Sequence, residues 1–431
     1  MFGLLLLMSA GSAASPATRS IQLRSDQLLA FAEAAQLKGD IKVAATAYEA
    51  LSNDRDANIR NEARFRRAKL LVAQGQKSGA AVLLRQILDE RPDAAPVRLE
   101  LAGLLGNMGD YDGAWRQMRA IRAGGLPPNV ARLIDRYSEA LRARRPFGAS
   151  FEIALAPDSN INRATRSDTL GTVFGNFQIS DDGKARSGTG LALNAQAYRR
   201  LSLGRDASLL VRATGFANLY KRGEFNDIAA DLAVGPELYL GGNRIQLELG
   251  ATQRWYGQKP FMRSARVAAT VSHPLGPRMQ LRLSGSAGLL DNRLNDLEDG
   301  KSWSGQVGLE RALSPTTGVA ASLSLDRQSL KDPGYSTTSW RAGLSAWRDL
   351  GRVTLTGGVE LGRLDADRRL LLFPHKRGDR YSRISLGASF RQLQFHGFAP
   401  VMRFSIERNR STVEFYDYRR TRTEFGVVRA F

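Results

Sequence analysis

The sequence predicts an α + β membrane protein in which an N-terminal α-solenoid precedes a C-terminal antiparallel transmembrane β-barrel of about fourteen strands. Three observations support this prediction. Residues 21–145 are rich in Ala, Leu, Arg and Glu, and their apolar residues recur at helical spacing. The same region repeats itself at a nearly constant interval, which is typical of stacked helical hairpins. After Pro146 the period changes to two, and long alternating segments follow one another along the rest of the sequence.

The repeat is seen when residues 37–51, 73–88 and 107–121 are aligned on a shared glycine. The aligned glycines are 36 and 34 residues apart, and an alanine follows each of them after five residues. Glycine permits the tight turn between two helices, and the small alanine lets the helices approach each other. The pattern resembles the tetratricopeptide repeat (TPR), with an ordinary helical bundle as the alternative. The predicted TPR positions are Gly39, Ala44, Gly75, Ala80, Gly109 and Ala114, and residues 129–145 read as a helix that caps the stack.

The alternation in the second half of the chain separates an apolar face from a polar one. In residues 243–257, Ile245, Leu247 and Leu249 lie on one face, whereas Gln246 and Glu248 lie on the other. About fourteen such segments occur in residues 147–431, with Gly-rich or Pro-rich turns between them. In a soluble protein these apolar faces would require one very large core. A barrel with lipid outside and water inside has no such requirement, and it must close because lipid tolerates no open sheet edge.

The domain organisation follows from these two patterns. Residues 1–20 are expected to be a signal peptide, because a short apolar run precedes small residues. The basic region that usually opens such a peptide is missing, and we expect that it was lost with an upstream start codon. Residues 21–146 are expected to form a periplasmic TPR-like helical domain, and residues 147–431 an outer-membrane β-barrel. The barrel therefore predicts a Gram-negative bacterium. Phe425, Val427 and Phe431 share one face of the last segment, which resembles the terminal signal that the barrel-assembly machinery reads.

Composition limits the chemistry that the chain can perform. There is no cysteine, and the three histidines are His273, His375 and His396, so no cofactor or metal centre is expected. The excess of 62 Lys and Arg over 42 Asp and Glu suggests anionic partners such as nucleic acid, lipid headgroups or acidic polymers. Because a membrane barrel is predicted, we expect the anionic partner to be outer-membrane lipid and not nucleic acid. We also expect the protein to be a monomer. A hydrolase with Ser and His as nucleophile and base is the weakest interpretation, because no nucleophile motif accompanies the histidines.

One polar motif, PDSNINRAT, follows the first predicted strand. It comprises Pro157, Asp158, Ser159, Asn160, Ile161, Asn162, Arg163, Ala164 and Thr165. Asp, Ser and Asn favour turns, so a well-ordered structural turn is one interpretation and a contact with a partner is the other.

Repeat helices, this loop motif and a barrel of about fourteen strands together resemble the surface lipoprotein assembly modulator family. The resemblance covers nearly the whole chain after residue 20, and it implies an outer-membrane translocator without enzyme activity. Its client would be a surface lipoprotein or a secreted haem- or metal-scavenging protein. The resemblance transfers no catalytic residues, only the loop motif.

The main alternative function is an export porin for an anionic polysaccharide, because such porins also join helical repeats to a barrel. Arg212, Arg254, Arg282 and Arg341 fall on the predicted inner faces and could attract an acidic passenger. They could equally brace the barrel by pairing with Glu248, Glu310 and Glu360. A client could pass through the lumen or along the seam between the first and last strands by strand addition.

Overall fold

The computed structural model describes residues 23–430, apart from residues 109, 124–146, 205, 277, 315, 351–352, 391–392 and 394–397. The chain divides into two compact units, Met1–Leu104 and Leu105–Phe431. The predicted signal peptide and the predicted capping helix at 129–145 lie outside the described residues, and so do Gly109 and Phe431. The domain boundaries at 20/21 and 146/147 therefore stay predictions.

The described part of the N-terminal half contains six helices in consecutive pairs. They are α1 (Ser25–Lys38), α2 (Ile41–Leu51), α3 (Ala57–Ala73), α4 (Lys77–Glu90), α5 (Ala95–Asn107) and α6 (Tyr111–Ala123). None of the helices in the described ranges is long and apolar enough to cross a membrane.

The turns within the helix pairs share one hydrogen-bonding pattern. Gly39 has a φ of 87° after α1, and Gly75 has a φ of 78° after α3, a backbone conformation that glycine adopts without strain. The next amide then donates back five residues: Asp40 to Ala35 at 2.9 Å and Gln76 to Leu71 at 2.8 Å. Asp110 donates to Leu105 in the same way at 3.0 Å. These bonds satisfy carbonyl groups that would otherwise be unpaired at the helix end.

Small side chains are buried where the helices pack. Ala44 and Ala80 of the first unit are fully buried, and Ala114 of the second unit is nearly so. Tyr48 packs among the buried alanines, and its hydroxyl donates to Gln36 at 2.9 Å. Burial is the main reason that the pKa of Tyr48 is raised.

Glu90, the last residue of α4, connects the helices by ion pairs. Its carboxylate accepts from Arg60 at 2.7 Å and from Arg64 at 2.7 Å, both on α3. Arg64 also donates from Nε to the Ser52 carbonyl at 2.9 Å, which ties α3 to the end of α2. The hydrogen bond from Arg60 is the first cause that lowers the pKa of Glu90 to about 2.

The C-terminal half forms a closed antiparallel barrel. Its described strands are β1 (Phe147–Asp158), β4 (Gly188–Ser202), β5 (Ala207–Tyr220), β6 (Asp227–Leu240), β7 (Asn243–Tyr256), β8 (Lys259–Pro274), β9 (Met279–Asn292), β10 (Gly300–Ala312), β11 (Thr317–Leu330), β12 (Thr337–Asp349), β13 (Val353–Ala366), β14 (Gly378–Phe390), β15 (Ala399–Ser411) and β16 (Tyr418–Ala430). Each strand pairs with its neighbour in sequence, and β16 pairs back onto β1. The fourteen barrel strands in this part of the chain confirm the predicted fold class.

A short hairpin, β2 (Thr169–Thr172) and β3 (Gly175–Gln178), lies within the first loop and is separate from the barrel sheet. No strand was predicted from the sequence in this region. Four-residue strands of mixed Gly, Thr and Asn composition carry too little alternation to be detected. Gly175, with a φ of 107°, lies at the turn.

The connections between barrel strands differ in length at the two ends. Those at the end where β1 begins span two to four residues at five of six positions, whereas the first connection at the other end spans residues 159–187. Bacterial outer-membrane barrels have short periplasmic turns and longer extracellular loops. The end with the long loops is therefore extracellular, and β1 enters the barrel from the periplasmic side.

The barrel presents apolar side chains outward and polar ones inward, as the alternation predicts. Leu249 and Leu344 are exposed over 60% and 68% of their surfaces on the outer face. Their neighbours Glu248 and Ser345 face inward. An exposed apolar band on a closed sheet is stable against lipid.

We predict that Glu90→Gln lowers the free energy of unfolding of the helical unit by about 2 kcal/mol at neutral pH, because two charge-assisted hydrogen-bond partners lose their carboxylate. The folded-state pKa of about 2 lies below the ordinary value of 4.5. The stabilisation is therefore fully present above pH 4.5 and is lost as the pH falls towards 2. Far-UV circular dichroism melts of the whole protein in detergent measure this transition.

Glu49→Gln is the matched control, since the Glu49 carboxylate pairs with Arg67 but is mostly exposed. It should change stability by less than about 1 kcal/mol. Equal melting profiles for both variants, at neutral pH and at pH 3, would show that Glu90 has no special role.

Candidate functional site

Inward-facing charges pair across the strands of the barrel. The predicted pair is present, with Arg212 Nη2 2.6 Å from Glu248 Oε2. Arg254 makes a two-pronged contact with Asp227, at 2.8 and 2.9 Å, and not with one of the predicted glutamates. Arg341 lies over the ring of Tyr381, with 5.6 Å between the guanidinium carbon and the ring centroid. The contact of Arg254 with Asp227 braces the neighbouring strands β7 and β6, whereas the other two contacts each reach across one intervening strand.

The pairing of β1 with β16, which we call the seam, closes the cylinder. Its register runs from Ser150–Ala430 to Leu155–Phe425 and resumes at Asp158–Arg422. Pro157, in the interval, has no N–H to donate. At Gly426 a Cβ atom would collide with the carbonyl oxygen of Ile153, so the two strands approach closely there. The backbone ladder of the seam is therefore interrupted near its extracellular end.

Side chains hold the seam where the ladder is interrupted. The carboxylate of Asp158 is fully buried and accepts from Arg420 Nε at 2.9 and 3.1 Å. Arg422 Nη1 lies 3.7 Å from the same carboxylate. Ser159 N donates to the Thr421 carbonyl at 2.9 Å, and Thr421 N donates to Ser159 Oγ at 2.8 Å. We call this group, Asp158 and Ser159 of the first strand end with Arg420, Thr421 and Arg422 of the last strand, the seam clamp.

Asn160 extends the clamp into the first loop. Its side chain is completely buried, and its amide group donates to the carbonyls of Ala164 at 2.8 Å and Arg419 at 3.1 Å. The amide oxygen accepts from Ala164 N at 3.0 Å. An aspartate could not donate these two bonds, which explains why asparagine occupies the position.

Beyond Asn160, hydrogen bonds join the two ends of the first loop. Asn162 donates from Nδ2 to the Lys184 carbonyl at 2.8 Å and accepts from Arg186 N at 3.1 Å. Ile161 N donates to the Arg186 carbonyl at 2.8 Å, and Ala185 N to the Thr165 carbonyl at 2.7 Å. We call residues 160–165 together with 184–186 the stem. Just beyond it, Lys184 Nζ lies 2.7 Å from Asp168, and their hydrogen bond raises the pKa of Lys184 and lowers that of Asp168.

The structure thus brings the whole PDSNINRAT motif together at the seam. Pro157 and Asp158 end β1, and Ser159 to Thr165 form the clamp and the stem. Arg163 has a φ of 50°, and its guanidinium lies 3.6 Å from Glu407. These contacts favour the structural interpretation of the motif, and a contact with a client stays a prediction.

The sequence analysis missed the partners of the motif. Arg420, Arg422 and Glu407 are almost fully shielded from solvent at the inner face of the last two strands. The alternation of Arg420 and Arg422 with threonines in RRTRTE (419–424) indicates an inward charged face. Because a closed barrel pairs the last strand with the first, this face could have been predicted to lie beside Asp158.

A cavity of about 390 Å³ lies near the periplasmic end of the lumen. Arg116 of α6 lines it together with Glu310, Asp349 and Arg403. Helix α6 belongs to the same compact unit as the barrel and lies against β10. Arg116 thus brings a positive charge from α6 to this cavity.

The predicted barrel-assembly residues lie on the outward side of β16. Phe425 is half exposed and lies opposite Leu155 on one side and Met402 on the other. Val427 follows on the same face, whereas Phe431 lies outside the described residues. Recognition by the assembly machinery stays a prediction.

The two histidines in the described ranges lie at opposite ends of the barrel. His273, near the periplasmic end of β8, has Nδ1 2.6 Å from Asn243 Oδ1, whereas His375 lies in the extracellular β13–β14 loop. His396 lies outside the described residues. Within the described ranges, no group of three or more His, Asp or Glu side chains is arranged to hold a metal ion.

Comparison with known families gives two matches. A family model described as "Surface lipoprotein assembly modifier" matches residues 148–431, and one described as "Tetratricopeptide repeat" matches residues 71–136.

Individual relatives carry the same family description. "Surface lipoprotein assembly modifier 1" of Haemophilus influenzae is 25% identical over 191 residues, which cover 43% of this chain and 38% of that protein. The protein of that name from Neisseria meningitidis serogroup B is 28% identical over 102 residues, 24% of this chain and 21% of its own. "Surface lipoprotein assembly modifier" of Moraxella catarrhalis is 22% identical over 217 residues, 50% of this chain and 42% of its own. The chain spans less than half the length of these relatives.

Solved structures also match part of the chain. A "Bacterial polysaccharide outer membrane secretin" has a TM-score of 0.36 and 13% identity, covering 66% of this chain and 98% of that one. A mutant of the "TodX monoaromatic hydrocarbon channel" has a TM-score of 0.37 and 10% identity, covering 66% and 88%.

We predict that Asp158→Asn lowers the stability of the barrel by about 3 kcal/mol, because it leaves the buried Arg420 guanidinium without its carboxylate. The midpoint of urea unfolding in detergent, followed by the shift of the folded band on gels of unheated samples, measures the loss.

Asp227→Asn is the control, since it removes a two-pronged pair with Arg254 that is partly exposed to the lumen and lies where the β6–β7 ladder is continuous. Its cost should be about 1 kcal/mol or less. If the two variants unfold at the same urea concentration, the clamp adds nothing to the closure of the seam.

Proposed function

The chain belongs to the surface lipoprotein assembly modifier family (the modulator family of the sequence resemblance), and we propose that it helps a client protein reach the outer face of the outer membrane. The observation that carries this proposal is the family match over residues 148–431, which spans nearly the whole barrel. The barrel lies in the outer membrane, and the helical domain lies in the periplasm.

The structure supports a role in translocation through its polar interior. The inner face presents paired charges and hydroxyls, such as Arg212 with Glu248 and Ser286 with Ser304. A polar lumen solvates a hydrophilic polypeptide, whereas the outer face contacts lipid. The periplasmic helices are suited to assist, since solenoids of helical repeats expose extended surfaces for peptides and proteins.

The client is a surface lipoprotein or a secreted haem- or metal-scavenging protein. The barrel-assembly machinery is the partner during biogenesis, through the outward face of β16 that carries Phe425 and Val427. The mature protein is a monomer in outer-membrane lipid. Residues 21–146 form the assisting domain and residues 147–431 the translocating one.

Passage of the client through the lumen is better supported than passage along the seam between β1 and β16. Opening the seam would separate Asp158 from Arg420, and both side chains are buried. Breaking a buried ion pair costs about 3–5 kcal/mol, in addition to the backbone bonds of the strands. Passage through the lumen leaves those contacts intact.

We predict that deletion of the gene removes the client from the cell surface while the periplasmic pool of the client is kept or increases. Protease shaving of intact cells, combined with immunoblots of periplasmic and outer-membrane fractions, measures the distribution of lipoproteins and secreted proteins. A deletion strain that displays all of them at wild-type levels contradicts the proposal. Complementation with the wild-type gene is the control.

We predict that locking the seam leaves display unchanged. Ile153 and Val427 are partners across the seam, and the chain has no native cysteine, so Ile153→Cys with Val427→Cys forms one defined disulfide. Each single variant controls for assembly of the barrel. Display that is lost in the oxidised double variant and recovered on reduction would place the route at the seam instead.

A further inference from the structure

Five arginines lie on the outer face of the barrel, near the extracellular ends of β13, β14, β15 and β16. We call them the arginine patch: Arg363, Arg380, Arg408, Arg410 and Arg419. Each lies an even number of residues away from an exposed apolar side chain of the same strand. These apolar side chains are Leu361 on β13, Ile384 on β14, Met402 on β15 and Phe425 on β16. Because side chains at even spacing share one face of a strand, the arginines point away from the lumen.

Three members of the patch form one row across neighbouring strands. Arg363 of β13 is the register partner of Arg380 of β14, and Arg380 is the partner of Arg410 of β15. A second pair joins Arg408 of β15 with Arg419 of β16. Directly opposite residues have Cβ atoms about 5 Å apart, and like charges at this separation repel each other. The array is therefore unfavourable by itself and becomes favourable when an anion lies against it.

The carboxylates of the protein neutralise only part of the patch. Arg363 Nε lies 2.7 Å from Asp365, and Arg408 Nη1 lies 2.7 Å from Asp417. The other three members are exposed and make no ion pair with any residue that the structure describes. Three guanidinium groups are therefore available to an external anion. A guanidinium group binds phosphate through two parallel hydrogen bonds, so phosphate is the anion that suits these side chains.

The row of arginines lies at the level of the membrane–water interface. Arg363 is also the register partner of Trp340 on β12, which is 41% exposed on the outer face. Aromatic girdles mark the two interfaces of an outer-membrane barrel. Towards the periplasm, Leu361 and Ile384 face the hydrocarbon about 7 and 14 Å further along their strands. Headgroups of the outer leaflet therefore lie beside the patch.

The basic surface ends at the seam. The last outward positions of the next five strands are uncharged: Pro157 on β1, Thr189 on β4, Leu219 on β5, Ile228 on β6 and Trp255 on β7. On the other side, Arg327 of β11 also faces outward, but Asp367 binds both of its terminal nitrogens at 2.6 Å. A local patch, unlike a uniform basic ring, selects one position on the barrel for an anionic ligand.

We propose that the arginine patch binds the phosphate groups of lipopolysaccharide in the outer leaflet of the outer membrane. The patch faces lipid and not the lumen, and it lies at headgroup level beside the apolar band. The lipid A part of lipopolysaccharide carries both phosphates and acyl chains. One molecule can thus place its phosphates against the guanidinium groups and its acyl chains along the apolar outer face of β13 to β15. This proposal rests on the location of the barrel and not on the proposed translocation function.

The test measures the binding of rough lipopolysaccharide, which lacks the O-antigen, to the purified full-length protein in mild detergent by native mass spectrometry. Arg380→Gln with Arg410→Gln removes two opposite members of the row that have no carboxylate partner in the described ranges. The matched control is Arg311→Gln with Arg348→Gln. These two arginines are also exposed on the outer face, but they lie at the periplasmic ends of β10 and β12.

We expect the Arg380 and Arg410 double variant to bind rough lipopolysaccharide at least about tenfold more weakly than the native chain, because it loses charge-assisted hydrogen bonds. The control variant should bind with unchanged affinity. Lipid A from which the phosphates have been removed should bind the native chain at least about tenfold more weakly than intact lipid A. Inorganic phosphate should not displace lipopolysaccharide, since it makes no contact with the apolar face.

A second measurement uses the repulsion within the row. Without lipopolysaccharide, the double variant should be at least as stable to urea as the native chain, because two like charges have been removed. With lipopolysaccharide, the urea midpoint of the native chain should rise more than that of the variant, since a ligand that binds only the folded state stabilises it. A purely structural role of the two arginines would instead lower the midpoint of the variant without lipid.

Equal affinities of the native chain and the double variant, or equal losses in the double variant and the control, overturn the proposal. Inorganic phosphate that binds as tightly as lipopolysaccharide would show a site for free anions and not for lipid. A polyglutamate peptide is titrated in parallel. If this peptide binds through the patch and lipopolysaccharide does not, the patch is a docking surface for an acidic protein and the lipid proposal falls.

Discussion

Closure of the sheet between β1 and β16 is the constraint on which the rest of the structure depends. Lipid offers no hydrogen-bond partner to an open strand edge, so the first and last strands must satisfy each other. Backbone pairing joins the two strands from Ser150 to Leu155, and side chains take over this role near Pro157. Buried charges and hydroxyls replace the missing bonds, which is why the most enclosed ion pair in the described part of the barrel, Asp158 with Arg420, lies at this point.

The same few residues connect closure of the barrel with the path of the first extracellular loop. The motif that ends β1 first completes the seam, then turns through Asn160, and finally forms the stem that joins the two ends of this loop. A residue such as Asn160 bonds to β16 and to the loop at once. The stability of the barrel and the position of the first extracellular loop are therefore coupled through one short segment.

Much of the fold could be predicted because periodicity is a local property of the sequence. Alternation such as that of Ile245, Leu247 and Leu249 identifies each strand and its outward face, and closure then follows from the physics of lipid. The motif could also be located, but its role could not be derived. Its partner Arg420 is 262 residues away from Asp158, and no local pattern states which charges meet. The β2–β3 hairpin was missed for the opposite reason, since its strands are too short to show a period.

Hydrogen–deuterium exchange of the protein in lipid nanodiscs tests the closed seam most directly. If the sheet is closed, amides of β1 from Ile153 to Leu155 and their partners on β16 exchange as slowly as those in the middle of β10 and β11. An open edge would leave the outward amides of β1 or β16 without partners, and they would exchange within seconds. Fast exchange confined to these two strands in the folded protein would contradict the closure on which the structure depends.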